Sequence, residues 1–310
     1  LRIHDQPLFE CFDSGTEGVI GVWVLDPREH TAQVGGFTRT GSHRMRFLLE
    51  TIAELRTAMR RMGSELIIKI GKPEQILPEL TETLGIDRFH FVEEPGSEER
   101  SIERAVLDRM QTNVTGLSPE TLLEIEDPGT FARELPEVFS SFRRHVEKRL
   151  EYGQPRPAPQ RLRPVKTPAA FESGEIPTLD QLGLCDEVAD PRGVMRFRGG
   201  ESSGLERLEE WMFLGDHLQH YKQTRNGMLG PDYSSKFSPW LAVGALSSRQ
   251  VAAHSFIYEE ERTKNESTYW IRFELLWREF FRLHLLKHGA SLFHRAGPAD
   301  LALEYRNDPV

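Results

Sequence analysis

Residues 19–25, Val-Ile-Gly-Val-Trp-Val-Leu, form an unbroken apolar run rich in β-branched side chains. Such a run predicts a strand buried on both faces, as in a parallel sheet. From residue 42 to 62 the rhythm changes. Met45, Leu48, Leu49, Ile52, Leu55 and Met59 recur at helical spacing, and Gly63 is placed to end the helix. Residues 66–70 read as a second short strand, Gly71-Lys72-Pro73 as a turn, and residues 74–84 as a second helix. Residues 89–92 are a third strand, after which Ser97 offers a cap for a helix to about Met110. Strand and helix alternating in this way predict a doubly wound α/β domain with a parallel sheet over residues 1–114.

Between residues 115 and 200 the pattern weakens, and the repeated prolines and arginines of 154–168 predict an irregular surface connection. Beyond Gly200 strand-like runs disappear. Helices are expected over 204–224, 239–246, 248–261 and 267–288, so residues 201–310 read as the first part of an all-helical domain joined by the 115–200 connector.

Composition narrows the class. The 310 residues are 38% hydrophobic, enough for two cores. No apolar run reaches a membrane span and no charged-then-apolar leader is present, so a soluble protein is expected. Cys11 and Cys185 stand far apart without metal-ligand spacing; buried thiols in a reducing, cytoplasmic compartment are the expectation. A net charge of −9 argues against a surface coated with phosphate-binding groups, while leaving room for a local basic groove. The chain opens on Leu-Arg-Ile-His-Asp rather than Met and closes on Arg306-Asn307-Asp308-Pro309-Val310 with no helix stop, so both ends read as incomplete.

Two stretches carry candidate chemistry. In Tyr233-Ser234-Ser235-Lys236-Phe237-Ser238-Pro239-Trp240, Ser238 before Pro239 is a helix-start signal. Free N–H groups at such a start attract phosphate, and three hydroxyls with one ammonium could complete a diphosphate cradle; spacing alone favours an ordinary capped helix. Ser247-Ser248-Arg249-Gln250 is a capping box with a structural role. In residues 269–282, large apolar residues all round predict a buried helix, with Glu274, Arg278 and Arg282 spaced by fours on a face shared with Trp277 and Phe281. A carboxylate, guanidiniums and rings on one wall suit an aromatic, hydrogen-bonding, anionic ligand; an exposed Glu–Arg pair of little worth is the alternative. No Gly-rich phosphate loop appears, Gly71-Lys72-Pro73 lacks the rest of a Walker motif, and His43, His145 and His220 have no partners at metal spacing, so no metal is expected.

These residues resemble the cryptochrome/photolyase family. Leu1-Arg2-Ile3-His4-Asp5 is similar to the end of its first strand, and Thr38-Arg39-Thr40-Gly41, Phe47-Leu48-Leu49-Glu50 and Gly71-Lys72-Pro73 to later elements of the same domain. Leu135-Pro136-Glu137-Val138-Phe139 with Phe142-Arg143 resembles the connector, and Gly199-Gly200-Glu201 with Leu205-Glu206-Arg207-Leu208 the entry to the helical domain. Residues 221–230 running into Asp232 and the serines, and Ser267-Thr268-Tyr269-Trp270 with Glu274-Leu275-Leu276-Trp277-Arg278, resemble the DASH branch.

The resemblance implies FAD held by Tyr221, Ser234, Ser235, Lys236, Phe237, Ser238 and Arg278. It implies Glu274 and Trp277 at the lesion, Arg225 near the DNA entry, and Glu99 against a methenyltetrahydrofolate antenna. The implied function is blue-light repair of cyclobutane pyrimidine dimers, preferentially in single-stranded DNA, by electron transfer from reduced FAD to the lesion, in a monomer. The chain as given is expected to be inactive and its parent active. A blue-light signalling receptor using the same FAD site, a duplex-specific photolyase and an α/β nucleotide-binding protein are the rivals.

Overall fold

The structure, a computed structural model, describes residues 1–12, 18–31, 33–118, 120–186 and 190–302. Strand β1 (Gly21–Leu25) leads through helix α1 (Pro27–His30), the short hairpin β2 (Gln33–Val34) and β3 (Phe37–Thr38), and helix α2 (Ser42–Arg61) to β4 (Leu66–Ile70). Helix α3 (Pro73–Leu84), β5 (Arg88–Val92), α4 (Ser97–Leu107) and β6 (Asn113–Leu117) follow. β1 pairs with β4 and β5 with β6, both in parallel, which is the expected α/β architecture. Because β6 carries the sheet past residue 114, the α/β part runs on to Leu117.

Among the described residues no backbone hydrogen bond joins the two strand pairs. The Gly21 amide donates to the Glu65 carbonyl, so Gly21, Trp23 and Leu25 direct their backbone groups toward β4 and Val22 and Val24 direct theirs away. The bonds Asn113 N–H to Asp87 and Glu93 N–H to Leu117 likewise turn Arg88, His90 and Val92 away from β6. Both free edges line one cavity of about 1200 Å³. In this chain Gly21, Val22, Trp23 and Val24 are half-buried and Leu25 alone in β1 is fully buried, less burial than the apolar run predicts.

The connector is less irregular than its sequence suggests. Helices α5 (Pro128–Arg133) and α6 (Phe139–Arg149) form in it, and Phe139, Phe142 and Val146, at i, i+3 and i+7, enter the largest core beside Trp211, Tyr258, Ile271 and Leu276. The helix expected over 204–224 is broken. α7 (Glu201–Glu209) continues as a π turn at Glu210–Leu214, and Asp216 then takes a left-handed φ of 54° and accepts from the Tyr258 hydroxyl before α8 (Tyr221–Thr224) begins. α9 (Ser238–Val243) stops at the left-handed Gly244, short of the expected 246. α10 (Ser248–Glu261) carries both bonds of the Ser247/Gln250 capping box, and α11 (Glu266–His288) is capped by Asn265. Ser97 is the first residue of α4 rather than its cap, which is Gly96. Cys11 is half-buried and Cys185 exposed, against the expectation of two buried thiols.

The two halves meet through the Phe47 ring of α2, packed edge-on against Trp240 of α9, and through polar and charged side chains. Glu50, Thr51 and Glu54 of α2 accept from the amides of Gly199, Gly200 and Ser202 at 2.7, 3.0 and 2.7 Å, satisfying the free donors at the start of α7. Gly200 is required there: its φ is 109°, and a Cβ would stand 1.9 Å from a Glu54 carboxylate oxygen. Arg2 and the Leu1 amine donate to the Gly244 carbonyl closing α9.

Glu279 on α11 is fully buried, its carboxylate has no side-chain hydrogen-bond partner among the described residues, and burial raises its pKa against the partial counter-effects of Arg282, the Leu122 amide and Arg278. A carboxyl whose folded pKa is raised loses stability as pH climbs through the interval above its unfolded pKa. Glu279→Gln is therefore expected to gain on the order of 1–3 kcal/mol near pH 7 and nothing near pH 4. Urea midpoints at the two pH values check this; a gain independent of pH would contradict it.

Candidate functional site

The loop from Pro231 to Phe237 is held from beneath by α7. Arg207, itself buried, donates to the carbonyls of Pro231 (2.8 Å) and Ser235 (3.2 Å) and to the Asp232 carboxylate (3.2 Å). Four residues on, Trp211 donates its indole N–H to the Asp232 carbonyl at 3.0 Å. With its carbonyls engaged below, the loop turns at Lys236, which has a φ of 60°, a left-handed conformation that costs a non-glycine residue of order 1 kcal/mol or more. Strain of that kind collects at ligand clamps.

Above the anchor the polar groups stay available. The hydroxyls of Ser234, Ser235 and Ser238 and the Lys236 ammonium make no hydrogen bond or ion pair among the described residues. Ser238 is not the cap the sequence suggests. The left-handed turn at Lys236 starts the helical geometry early, so Phe237 takes the cap position, Ser238 is the first helical residue, and no side-chain cap bond forms. α9 has six residues and a correspondingly small dipole, so the hydroxyls and Lys236 carry the local electrostatics.

Tyr221 and Phe237 pack edge-on against Trp211, with ring centroids 5.3 and 5.7 Å away, which makes one aromatic floor of three predicted and unpredicted residues. Burial, reinforced by the Glu274 charge, pushes the Tyr221 phenol up to about 12. The structure thus brings Tyr221 and the Ser234–Ser238 loop together and sets Glu274 within electrostatic reach.

Among the described residues Glu274 makes no ion pair along its own helix. It accepts from Arg225 at 2.7 Å and from the Trp270 indole N–H at 3.0 Å. Arg225 and Lys222 both lie over the Trp270 ring, 5.2 and 4.8 Å from its centroid. This cluster joins two predicted residues, Arg225 and Glu274, to two that sequence reasoning missed, Lys222 and Trp270. The four-residue step from Trp270 to Glu274 was the available signal, as was that from Arg207 to Trp211.

The remaining candidates go elsewhere. Trp277 lies stacked on Phe139, centroids 3.6 Å apart and planes within 11°, with Phe281 at 5.6 Å; the free stacking face implied for it is covered in this arrangement. Arg278 donates to the Leu241 carbonyl of α9 at 3.4 Å, and burial together with Arg282 lowers its pKa. Arg282 reaches the Glu120 carbonyl at 2.7 Å. Hence the row spaced by fours shares a helix face, but each charge is drawn to a different neighbour. Glu99 is exposed in the first turn of α4, its carboxylate folded over Gly96, away from the serine loop's contacts.

A sequence profile described as DNA photolyase matches residues 1–160. Similar curated proteins are named cryptochrome DASH. That of Gloeobacter violaceus is 43% identical over 312 residues, covering 99% of this chain and 62% of the relative, and that of Xenopus laevis is 36% identical, covering 100% and 60%. Among solved structures, the Synechocystis cryptochrome superposes with a TM-score of 0.91 at 36% identity, covering 99% of this chain and 64% of that one. A class III photolyase from Agrobacterium tumefaciens shares the fold at a TM-score of 0.74 and 21% identity, over 99% and 61%. The chain spans about three-fifths of the length of these curated relatives.

Proposed function

This chain belongs to the DNA photolyase family, in its cryptochrome DASH branch, and from that premise we propose that the protein carrying it binds FAD and repairs cyclobutane pyrimidine dimers under blue light. The observation that carries the reading is the strained, back-anchored loop whose serine hydroxyls and lysine remain unpartnered. A dinucleotide's diphosphate asks for such a donor set: hydroxyls, an ammonium and a backbone that does not shift on binding. Ser234, Ser235, Lys236 and Ser238 would hold the phosphates and ribose, with Tyr221 and Phe237 packing beside them and Arg278 on the flavin side. When bound there, the reduced flavin would supply light-driven one-electron chemistry.

The chain's own residues then bind and orient. Arg225 would meet a DNA phosphate while its partner Glu274 accepts a hydrogen bond from the bases, an exchange of an internal ion pair for contacts to the ligand. Trp270, with its cations, gives a stacking surface at that place. For Trp277 to stack on a lesion, Phe139 has to leave its face. A single-stranded lesion enters such a pocket without unpairing cost, and the net charge of −9 gives little hold on a long duplex, so single-stranded DNA is the proposed substrate. Glu99 is proposed to contact a methenyltetrahydrofolate antenna. The proposed protein is monomeric and works in a reducing, cytoplasmic compartment; no helix among the described residues is long and apolar enough to cross a membrane.

The test uses the natural gene product that carries this sequence. It is expected to release FAD on denaturation and, after reduction and illumination, to remove dimers from a single-stranded oligonucleotide. The Ser234→Ala, Lys236→Ala double variant is expected to lose most of its flavin while keeping its circular dichroism. No flavin in the intact protein would end the reading. Flavin without any light-dependent dimer loss would leave the signalling function in its place.

A further inference from the structure

We propose that Glu137, His284 and His288 form a binding site for a divalent transition-metal ion of the zinc type. His284 and His288 are four residues apart near the end of α11 and therefore stand one above the other on the same face. Their rings are stacked, centroids 5.4 Å apart and planes within 25°. The Nε2 atoms of both rings are shielded from solvent and have no hydrogen-bond partner among the described residues. Opposite them, the turn before α6 brings up the Glu137 carboxylate, with Oε2 3.6 Å from His288 Nε2. One donor atom from each of the three residues can be chosen so that all lie within 4.8 Å of one another.

Tetrahedral zinc with bonds of about 2.0–2.2 Å holds its ligand atoms roughly 3.3–3.5 Å apart. Closing to that distance calls for the exposed Glu137 carboxylate to rotate away from its Lys287 partner. Two imidazoles and one carboxylate favour zinc, cobalt or nickel over calcium or magnesium, which prefer oxygen ligands alone. Three protein ligands leave a position for water. The His284 ring also faces the Pro136 carbonyl, the kind of outer contact that fixes a ligating imidazole. Lys287 is the built-in competitor: its ammonium bonds the Glu137 carboxylate and the Leu135 carbonyl, so the metal replaces one cation at that carboxylate with another. The sequence offered no spacing signal among His43, His145 and His220, whereas the step of four from His284 to His288 lies within the helix expected over 267–288; only the approach of Glu137 needs the fold.

The experiment is a zinc titration of the chelator-treated protein by calorimetry, with cobalt absorption as a report on the ligands. A single equivalent is expected to bind, with a cobalt spectrum of low-coordinate nitrogen and oxygen donors. His288→Gln and Glu137→Gln should each weaken binding by roughly tenfold or more, and Lys287→Met should tighten it several-fold. The first two residues are partly or largely exposed, so both variants are expected to fold, which circular dichroism verifies; His284→Gln is the third arm if its contact with Phe280 tolerates the change. Binding only at millimolar metal, or binding equally tight in His288→Gln and Glu137→Gln, overturns the assignment. An unchanged affinity in Lys287→Met counts against it as well.

Discussion

Trp211→Ala is expected to destabilise the protein by about 3–5 kcal/mol, the range for deleting a buried aromatic ring. The side chain is wholly inaccessible, packs edge-on against both Tyr221 and Phe237, and holds the Asp232 carbonyl with its indole N–H. Removing it leaves a cavity under the serine loop and an unpaired carbonyl in the loop's backbone. Domains of ordinary stability have about 5–15 kcal/mol to lose, so a large fraction goes. Urea unfolding followed by circular dichroism measures the effect. Trp211→Phe keeps a ring against both neighbours but loses the hydrogen bond, and a cost of about 1–2 kcal/mol is expected for it. A loss below 1 kcal/mol in Trp211→Ala would show that the loop does not depend on this floor.

Arg272→Ala should cost a comparable amount, about 3–5 kcal/mol, for an electrostatic reason rather than a packing one. Arg272 and Glu259 are each only 6% exposed and meet at 2.8 Å between α11 and α10. The guanidinium also donates to Ser255 Oγ at 3.0 Å and lies 4.2 Å from the centre of the Phe256 ring. Without it, Glu259 keeps the Thr268 hydroxyl at 2.6 Å but has lost its buried counter-charge. The double variant Glu259→Leu, Arg272→Met removes both charges and fills the space, so it is expected to be clearly more stable than Arg272→Ala. A double-mutant cycle on urea midpoints decides the matter. If the double variant is as damaged as Arg272→Ala, the loss is one of packing and the electrostatic account fails.

Periodicity made most of the frame legible. The runs at 19–25 and 66–70 and the helical spacing of 42–62, 248–261 and 267–288 correspond to β1, β4, α2, α10 and α11. β6 escaped because Asn-Val-Thr-Gly-Leu alternates poorly and only Val114 and Leu117 are even half-buried in it. α6 escaped because three arginines, a histidine and a lysine mask its Phe139, Phe142 and Val146 stripe. At the site, the serine loop was legible from composition and order, whereas its anchor was not: Arg207 and Trp211 reach it across more than twenty residues. Glu274, Arg278 and Arg282 show the limit of spacing arguments. Helical geometry aligned them on one face, but Arg225, Leu241 and Glu120, from three other segments, decide what each one binds.

The one-sided pairing of β1 divides its five residues into two populations. The amides directed at β4 exchange with solvent deuterium only when that ladder opens, so their protection follows the cooperative stability of the α/β part. Among the described residues those of Val22 and Val24 have no strand partner, so in this chain their protection rests on access of water. Neighbouring amides in a single strand thus report two different free energies, one global and one local, separated by the width of a peptide plane.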